Sequence, residues 1–240
     1  MSITLSVVIP FRDEALSLET LYEELDSALP RDDFEAEFIF VDDASEDDGA
    51  ECVRALAVRD ARVRLISLTP HVGQSGALEA GFRAAHSPNI AMLDADLQND
   101  PADLPRLVEG LDAADCVCGV RVKRQDSPSK RLASKVANGL RRRVLRDGVS
   151  DIGCSLRVMR ASYLRRIKLF RGGHRFLPTL LAMEGARVIE MPVAHRPRRH
   201  GHSKYGIGNR LRVVWIDLLG VMWLARRANR YEAKELNRRV

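Results

Sequence analysis

Residues 90–101 read IAMLDADLQNDP, and the step inside them from apolar to acidic decides the fold. Ile90 to Leu93 is a short apolar run suited to a buried strand, and it ends directly in Asp94-Ala95-Asp96. Carboxylates at a strand end mark a ligand position, because open α/β sheets bind at the carboxyl ends of their strands. Two acids two residues apart converge on one hard cation only if the chain bends after the strand. Mg²⁺ or Mn²⁺ takes such oxygen ligands and keeps positions open for phosphate oxygens. Asp96 and Asp100 also suit a second role, capping a helix that starts near Pro101.

Working outward, the same pattern repeats through the first 120 residues, where apolar runs alternate with amphipathic stretches as in βαβ units. Leu5 to Ile9 reads as the first strand, followed by a helix on which Leu18, Leu21, Tyr22, Leu25 and Leu29 share one face. Phe38 to Val41 reads as the second strand and runs into Asp42-Asp43-Ala44-Ser45. Those acids can accept from a nucleobase N–H or a ribose hydroxyl, and Asp43 or Ser45 could instead cap the next helix. Val63 to Leu68 and Cys116 to Val120 read as further strands, with Ser75 to His86 helical between them. Together these predict a mainly parallel sheet flanked by helices.

Beyond residue 120 the alternation is lost. Ser129 to Arg146 reads as a basic helix, Ala186 to Val193 as a strand, and His195 to Gly208 as a Gly-rich basic loop. Val213 to Ala225 is apolar but shorter than the about 20 residues a spanning helix needs. Its tryptophans, Trp215 and Trp223, and its flanking arginines suit a helix lying on a membrane surface or docked on a partner.

The net charge of +5 hides an asymmetry: residues 1–120 carry 8 Lys and Arg against 25 Asp and Glu, and residues 121–240 carry 30 against 8. So basic a half points to an anionic partner. Aromatic residues are only 5% of the chain and carboxylates sit at the strand ends, which together oppose a nucleic-acid binder. Arg121, Arg124, Arg198 and Lys204 offer forked and point-charge donors suited to phosphate oxygens. Arg141, Arg142 and Arg143 read as a solvated or membrane-facing row, His195 as structural, and His200 and His202 as loop residues. Cys52, Cys116, Cys118 and Cys154 form no CxxC pair, and the expectation is a reducing, cytoplasmic setting.

The run DADLQNDP, the opening Ser6-Val7-Val8-Ile9-Pro10-Phe11-Arg12-Asp13-Glu14, and His195-Arg196-Pro197-Arg198 followed by Gly201-His202-Ser203-Lys204-Tyr205-Gly206 together carry a family resemblance. The chain resembles family 2 glycosyltransferases of the GT-A fold, in the branch of dolichyl-phosphate mannosyltransferase and the bacterial polyprenyl-phosphate glycosyltransferases. The resemblance covers roughly residues 4–225, with DADLQNDP close to the branch's DADLQDDP and residues 195–206 similar to its HxPRxxGxSKYG pattern. It implies that Pro10, Glu14 and Asp43 embrace the nucleoside and that Asp94 faces the ribose and diphosphate. It further implies that Asp96 and Gln98 hold Mg²⁺ or Mn²⁺, that Arg121 and Arg131 contact phosphates, and that Arg198 and Lys204 close over the donor diphosphate. Asp151 matches an aspartate near the acceptor, suited to orienting or deprotonating it. The chain departs from the family at Arg12-Asp13, where Tyr-Asn is common before the glutamate.

The function implied is inverting transfer of a sugar from a UDP- or GDP-sugar to a polyprenyl phosphate, with family 2 transfer to a saccharide hydroxyl as the alternative. The expected organisation is a GT-A catalytic domain over residues 1–210, with a nucleotide-sugar half (1–120) and an acceptor and phosphate half (121–210). Residues 211–240 then form an interfacial or docking helix and a basic tail. Many members of the branch carry spanning helices after the catalytic domain. Peripheral attachment at the inner membrane face, with room for a membrane-protein partner or a homo-oligomer, is therefore expected here.

Overall fold

The computed structural model of the chain describes residues 3–122, 148–197 and 207–227. Arg124, Arg131, Arg141 to Arg143, Arg198, His200, His202 and Lys204 lie outside the described residues, as do the expected helix Ser129 to Arg146 and the tail after Arg227.

Among the described residues, strands β1 (Ile3–Phe11), β2 (Phe34–Asp42), β3 (Val63–Ser67), β4 (Asn89–Met92), β5 (Cys116–Arg121), β6 (Arg157–Arg160) and β7 (Val188–Val193) form one sheet in the order β3-β2-β1-β4-β6-β5-β7. All run parallel except β6, which is antiparallel to β4 and β5. The mainly parallel sheet is thus as expected. β6 is an addition, and through it strands from both sides of residue 120 join one sheet.

Alternate residues of each strand feed opposite faces. On one face Leu5, Val7, Ile9, Phe38 and Phe40 bury against helices α1 (Ala15–Ala28) and α2 (Gly49–Arg59). On the other, Val8, Ile39 and Val41 meet α3 (Gln74–Ala84). Leu18, Leu21 and Leu25 of α1 are completely buried, so Leu21→Ala would cost about 2–5 kcal/mol. Gly81 lets α3 lie against β1, since a Cβ there would collide with Val8. Asp100 caps a short 3-10 turn, Pro101–Asp103, its carboxylate accepting the Ala102 N–H at 3.1 Å, and this turn leads into helix α4 (Leu104–Glu109), whose own cap position is Asp103.

Helices α5 (Ala161–Leu164) and α6 (Leu177–Met183) cover the α3 face. Helix α7 (Ile207–Arg227) extends beyond both ends of the expected Val213 to Ala225 and buries Leu218 and Val221 on Phe176 and Leu180. Among the described residues no helix is long and apolar enough to cross a membrane.

Candidate active site

The site is built where β1, β2 and β4 end. Each strand there turns through a non-glycine residue in the left-handed region: Asp13 (φ 52°), Ala44 (φ 58°) and Leu97 (φ 61°). Such strained positions persist only where surrounding contacts hold them. Asp13 donates its N–H to Ser45 Oγ at 3.1 Å and accepts the Glu46 N–H at 2.8 Å, tying the β1 and β2 loops together. The turn at Leu97 is the bend that the Asp94-Ala95-Asp96 pattern requires, and Asp96 Oδ1 accepts the Gln98 N–H across it at 3.2 Å.

A small recess gathers Asp94, Asp96, Gln98, Asn99, Arg121, Gly153, Cys154, Ser155 and His195. Asp96 is buried at 6% exposure, and Asp94 Oδ1 accepts a hydrogen bond from Gln74 Nε2 at 2.6 Å. Asp94, Asp96 and Gln98 line this one recess, and carboxylate and amide oxygens are the donor chemistry that fits a hard divalent cation.

Arg121 at the end of β5 reaches across to Asp151. Its Nε and Nη2 each donate at 2.8 Å to a separate carboxylate oxygen of Asp151. The loop bearing Asp151 is fixed from β7, because Glu190 Oε1 accepts the backbone N–H of Ser150 at 2.6 Å and of Asp151 at 3.3 Å. Below it lies Arg157 of β6, 1% exposed, whose guanidinium donates to the carbonyls of Ile152 and His174 at 2.8 Å each. Burial pushes the Cys154 thiol up to about 11, so this cysteine of the recess wall is an unreactive thiol at neutral pH.

Asp43 is also recruited from an unexpected quarter. Its carboxylate accepts the N–H groups of Val72 and Gly73 at 2.8 Å each and lies 2.8 Å from His71 Nδ1. Gly73 (φ 85°) is the residue before α3, so Asp43 fixes the start of that helix. It does not cap α2, whose cap position is Asp48, and Ser45 serves Asp13 instead. Pro10 pairs with Val41 of β2 beyond the point where β4 leaves β1, so its missing N–H costs no ladder bond there. Glu14 sits at the start of α1.

The segment leading into the Arg198 loop is strapped to the acidic turn. Arg196 N–H donates to the Gln98 carbonyl at 2.9 Å, and its guanidinium bonds Glu24 at 2.7 Å and Asp100 at 2.6 Å. His195 forms a bridge to Asn99 and lines the recess, so its structural role and a place in the site wall coincide. Asp43, Asp94, Asp96, Gln98, Arg121 and Asp151 are thus all at the strand-end rim. His71, Gln74, Arg157 and Glu190 hold them and carry no sequence pattern that marks them beforehand.

The model of the glycosyl transferase family 2 matches residues 6–168. The chain belongs to that family. Among curated family 2 relatives, a dodecaprenyl-phosphate galacturonate synthase of Rhizobium johnstonii is 37% identical over 231 residues, covering 94% of this chain and 68% of that protein. An undecaprenyl-phosphate 4-deoxy-4-formamido-L-arabinose transferase of Edwardsiella ictaluri is 40% identical over 204 residues, covering 84% of this chain and 63% of that protein. The chain therefore spans about two thirds of the length of these relatives. A glucosyl-3-phosphoglycerate synthase from Mycobacterium tuberculosis, solved with Mn²⁺, UDP and glucosyl-3-phosphoglycerate, superposes with a TM-score of 0.68 at 18% identity, covering 93% of this chain and 80% of that one. A mannosyltransferase from Pyrobaculum calidifontis in complex with GDP-Man and Mn²⁺ gives 0.66 at 22% identity, covering 97% and 66%. The family 2 chain thus has the GT-A fold, with β6 as the antiparallel member of its sheet.

Proposed function

We propose that this glycosyltransferase moves a sugar, with inversion, from a UDP- or GDP-sugar to the phosphate of a polyprenyl phosphate, dolichyl or undecaprenyl, at the inner face of the membrane. The relatives named for polyprenyl-phosphate transfer support the acceptor class, and the strand-end recess supports the donor. Pro10, Glu14, Asp43 and Asp94 form the nucleoside and ribose side in this reading, and Arg121 and Arg131 meet the phosphates.

Asp96 and Gln98, with Asp94 beside them, would hold Mg²⁺ or Mn²⁺, which when bound neutralises the donor diphosphate. An acceptor phosphate oxygen forms its bond to the anomeric carbon as the bond to the diphosphate oxygen breaks, and the electron pair leaves with the nucleoside diphosphate. Arg198 and Lys204 meet the charge that develops there.

The observation that carries the choice of acceptor is the bidentate Arg121–Asp151 pair. A sugar hydroxyl would need a base to take its proton, whereas a phosphate is already anionic at neutral pH. An aspartate with both oxygens engaged by one guanidinium suits orientation of that arginine better than proton removal. The four free cysteines suit a reducing compartment, in keeping with work at the inner face. Residues 1–210 act as the catalytic unit in this account, and residues 211–240 meet the membrane. The test is to offer a polyprenyl phosphate and the matching polyprenol side by side: glycosylation of the phosphate alone supports the reading, and equal use of the alcohol refutes it.

A further inference from the structure

A cavity of about 280 Å³ lies on the α3 face, lined by Phe82, Leu164, Ile167, Leu169 and Leu177 within and by Glu79, Arg83, Arg165, Arg166 and Lys168 around it. None of these residues lines the strand-end recess. Phe82, Leu164 and Leu177 are buried at 8%, 5% and 0% exposure, and no apolar lining residue offers a hydrogen-bonding side chain. The one lining acid, Glu79, is paired with Arg83 at 2.5 Å. Arg165, Arg166 and Lys168 are exposed, and Arg166 lies over the Tyr163 ring at 5.3 Å. An apolar floor behind a cationic mouth fits neither a neutral metabolite nor a bare anion. It fits an amphiphile that carries its negative charge outermost.

Two residues link the cavity wall to the seat of α7. Ile167 and Leu169 also rest on the cluster that seats α7, formed by Phe176, Leu180, Leu218 and Val221. On the opposite side of α7, Ile216, Leu219, Trp223 and Leu224 stand 61%, 56%, 61% and 41% exposed, and Phe170 at the end of the cationic ridge is 37% exposed. These are five of the nine large hydrophobic residues found exposed among the described residues, so the exposure is clustered and not scattered. Residues 165–171, RRIKLFR, hold four cations and no acid, and Arg226 and Arg227 end the helix, the latter 6.0 Å from the Trp223 ring.

We propose that the ridge Arg165 to Arg171 and the cavity behind it bind the headgroup and adjoining acyl carbons of an anionic glycerophospholipid, while the α7 stripe enters the same leaflet. The inference rests on the proposed function only in so far as that reading brings the protein to a bilayer. It adds a lipid site distinct from the donor and acceptor machinery. Charge complementarity selects the occupant: the ridge attracts anionic headgroups, and the stripe and floor take hydrocarbon.

The test uses the full chain with vesicles of phosphatidylcholine alone, vesicles containing phosphatidylglycerol, and monomeric dihexanoylphosphatidylglycerol followed by calorimetry. The short-chain lipid should bind saturably and resist competition by inorganic phosphate. The triple variant Arg165→Glu, Arg166→Glu, Lys168→Glu should lose on the order of 100-fold or more in affinity for phosphatidylglycerol vesicles. Its melting temperature and its transfer to a short-chain acceptor should be unchanged. Should the triple variant not fold, Lys168→Glu alone should lose about 5-fold or more. Trp223→Glu should weaken binding to both vesicle types. Wild-type affinity in the charge-reversed variants, equal losses on the two vesicle types, or inorganic phosphate binding as tightly as the lipid would overturn the site. Concentration-dependent self-association abolished by Trp223→Glu, without vesicle binding, would overturn it in favour of a second copy. Lipid binding that is lost in the triple variant, in a protein that never glycosylates a polyprenyl phosphate, would sink the proposed function and leave this inference standing.

Discussion

Arg121 and Asp151 stand 30 positions apart in sequence and meet through two hydrogen bonds of 2.8 Å, one from each of two guanidinium nitrogens to each carboxylate oxygen. Their side chains are 15% and 7% exposed, so neither charge is well solvated without the other. One residue expected to touch donor phosphate is thereby positioned by one expected near the acceptor.

If Asp151 acts through Arg121, the two cannot contribute independently. Asp151→Asn and Arg121→Gln should each cut turnover, and the double variant should be little worse than either single one. The pH dependence of kcat should keep its shape in Asp151→Asn, where loss of a general base would flatten its acidic limb. Asp151→Ala should also cost about 3 kcal/mol of stability by leaving the guanidinium without its partner. Additive losses with a changed pH profile would return Asp151 to the role of base.

Asp96→Ala should abolish turnover, and Asp96→Asn, which keeps an oxygen to accept the Gln98 N–H across the Leu97 turn, should cripple it with a melting temperature close to that of the wild type, because the loss then falls on the divalent ion and not on the turn. Activity should also vanish in excess chelator and return on adding Mg²⁺ or Mn²⁺. Full activity in chelator would contradict the assignment of Asp96 and Gln98.

The Arg198 and Lys204 assignments rest on their motif and on the strap at Arg196 that begins it. Arg198→Ala and Lys204→Ala should lower kcat more than they raise the donor KM, since charge on the leaving group grows toward the transition state. An effect confined to KM would make the loop a ground-state clamp.

A pH effect on stability follows from the polar cluster behind the site. Ser75 Oγ accepts the N–H groups of Gly172 at 3.0 Å and His174 at 3.3 Å, so its own proton points to His174 Nδ1 at 2.7 Å. Burial, helped by Arg175 and Arg157, pushes His174 from 6.5 down to about 3. Between those values the unfolded chain binds a proton that the folded chain refuses, so stability is full above about 6.5 and is lost as pH falls toward 3. His174→Asn should be less stable than the wild type at neutral pH by about 1 kcal/mol. Urea midpoints should show that gap closing and then reversing in sign as pH falls through the window, the wild type becoming the less stable of the two. A constant gap would mean that the imidazole titrates alike in both states.

The strands that could be read from sequence are those whose apolar runs are buried on both faces, such as Val7-Val8-Ile9 and Phe38 to Val41. The strand-end place of Asp94 and Asp96 was legible for the same reason, since an apolar run that breaks into acids marks the carboxyl end of a strand in such a sheet, and the Asp100 cap was legible from the Pro101 that follows it. β6 was not legible, because Arg-Val-Met-Arg lacks the hydrophobic signal. Its Arg157 is buried only by virtue of the Ile152 and His174 carbonyls, which no local pattern brings near. By its sequence position Asp43 suits a ligand group or a cap. Its partners Val72 and Gly73 come from a loop about 30 residues later, and such long-range pairing is a property of the folded sheet.

Sugar transfer to a polyprenyl phosphate is tested most directly by mass spectrometry of a short-chain polyprenyl phosphate incubated with the protein, Mn²⁺ and a panel of UDP- and GDP-sugars. One donor should give an acceptor heavier by a single sugar residue, with the matching nucleoside diphosphate released, and Asp96→Ala should give neither. An unchanged polyprenyl phosphate alongside glycosylation of a saccharide hydroxyl would contradict it.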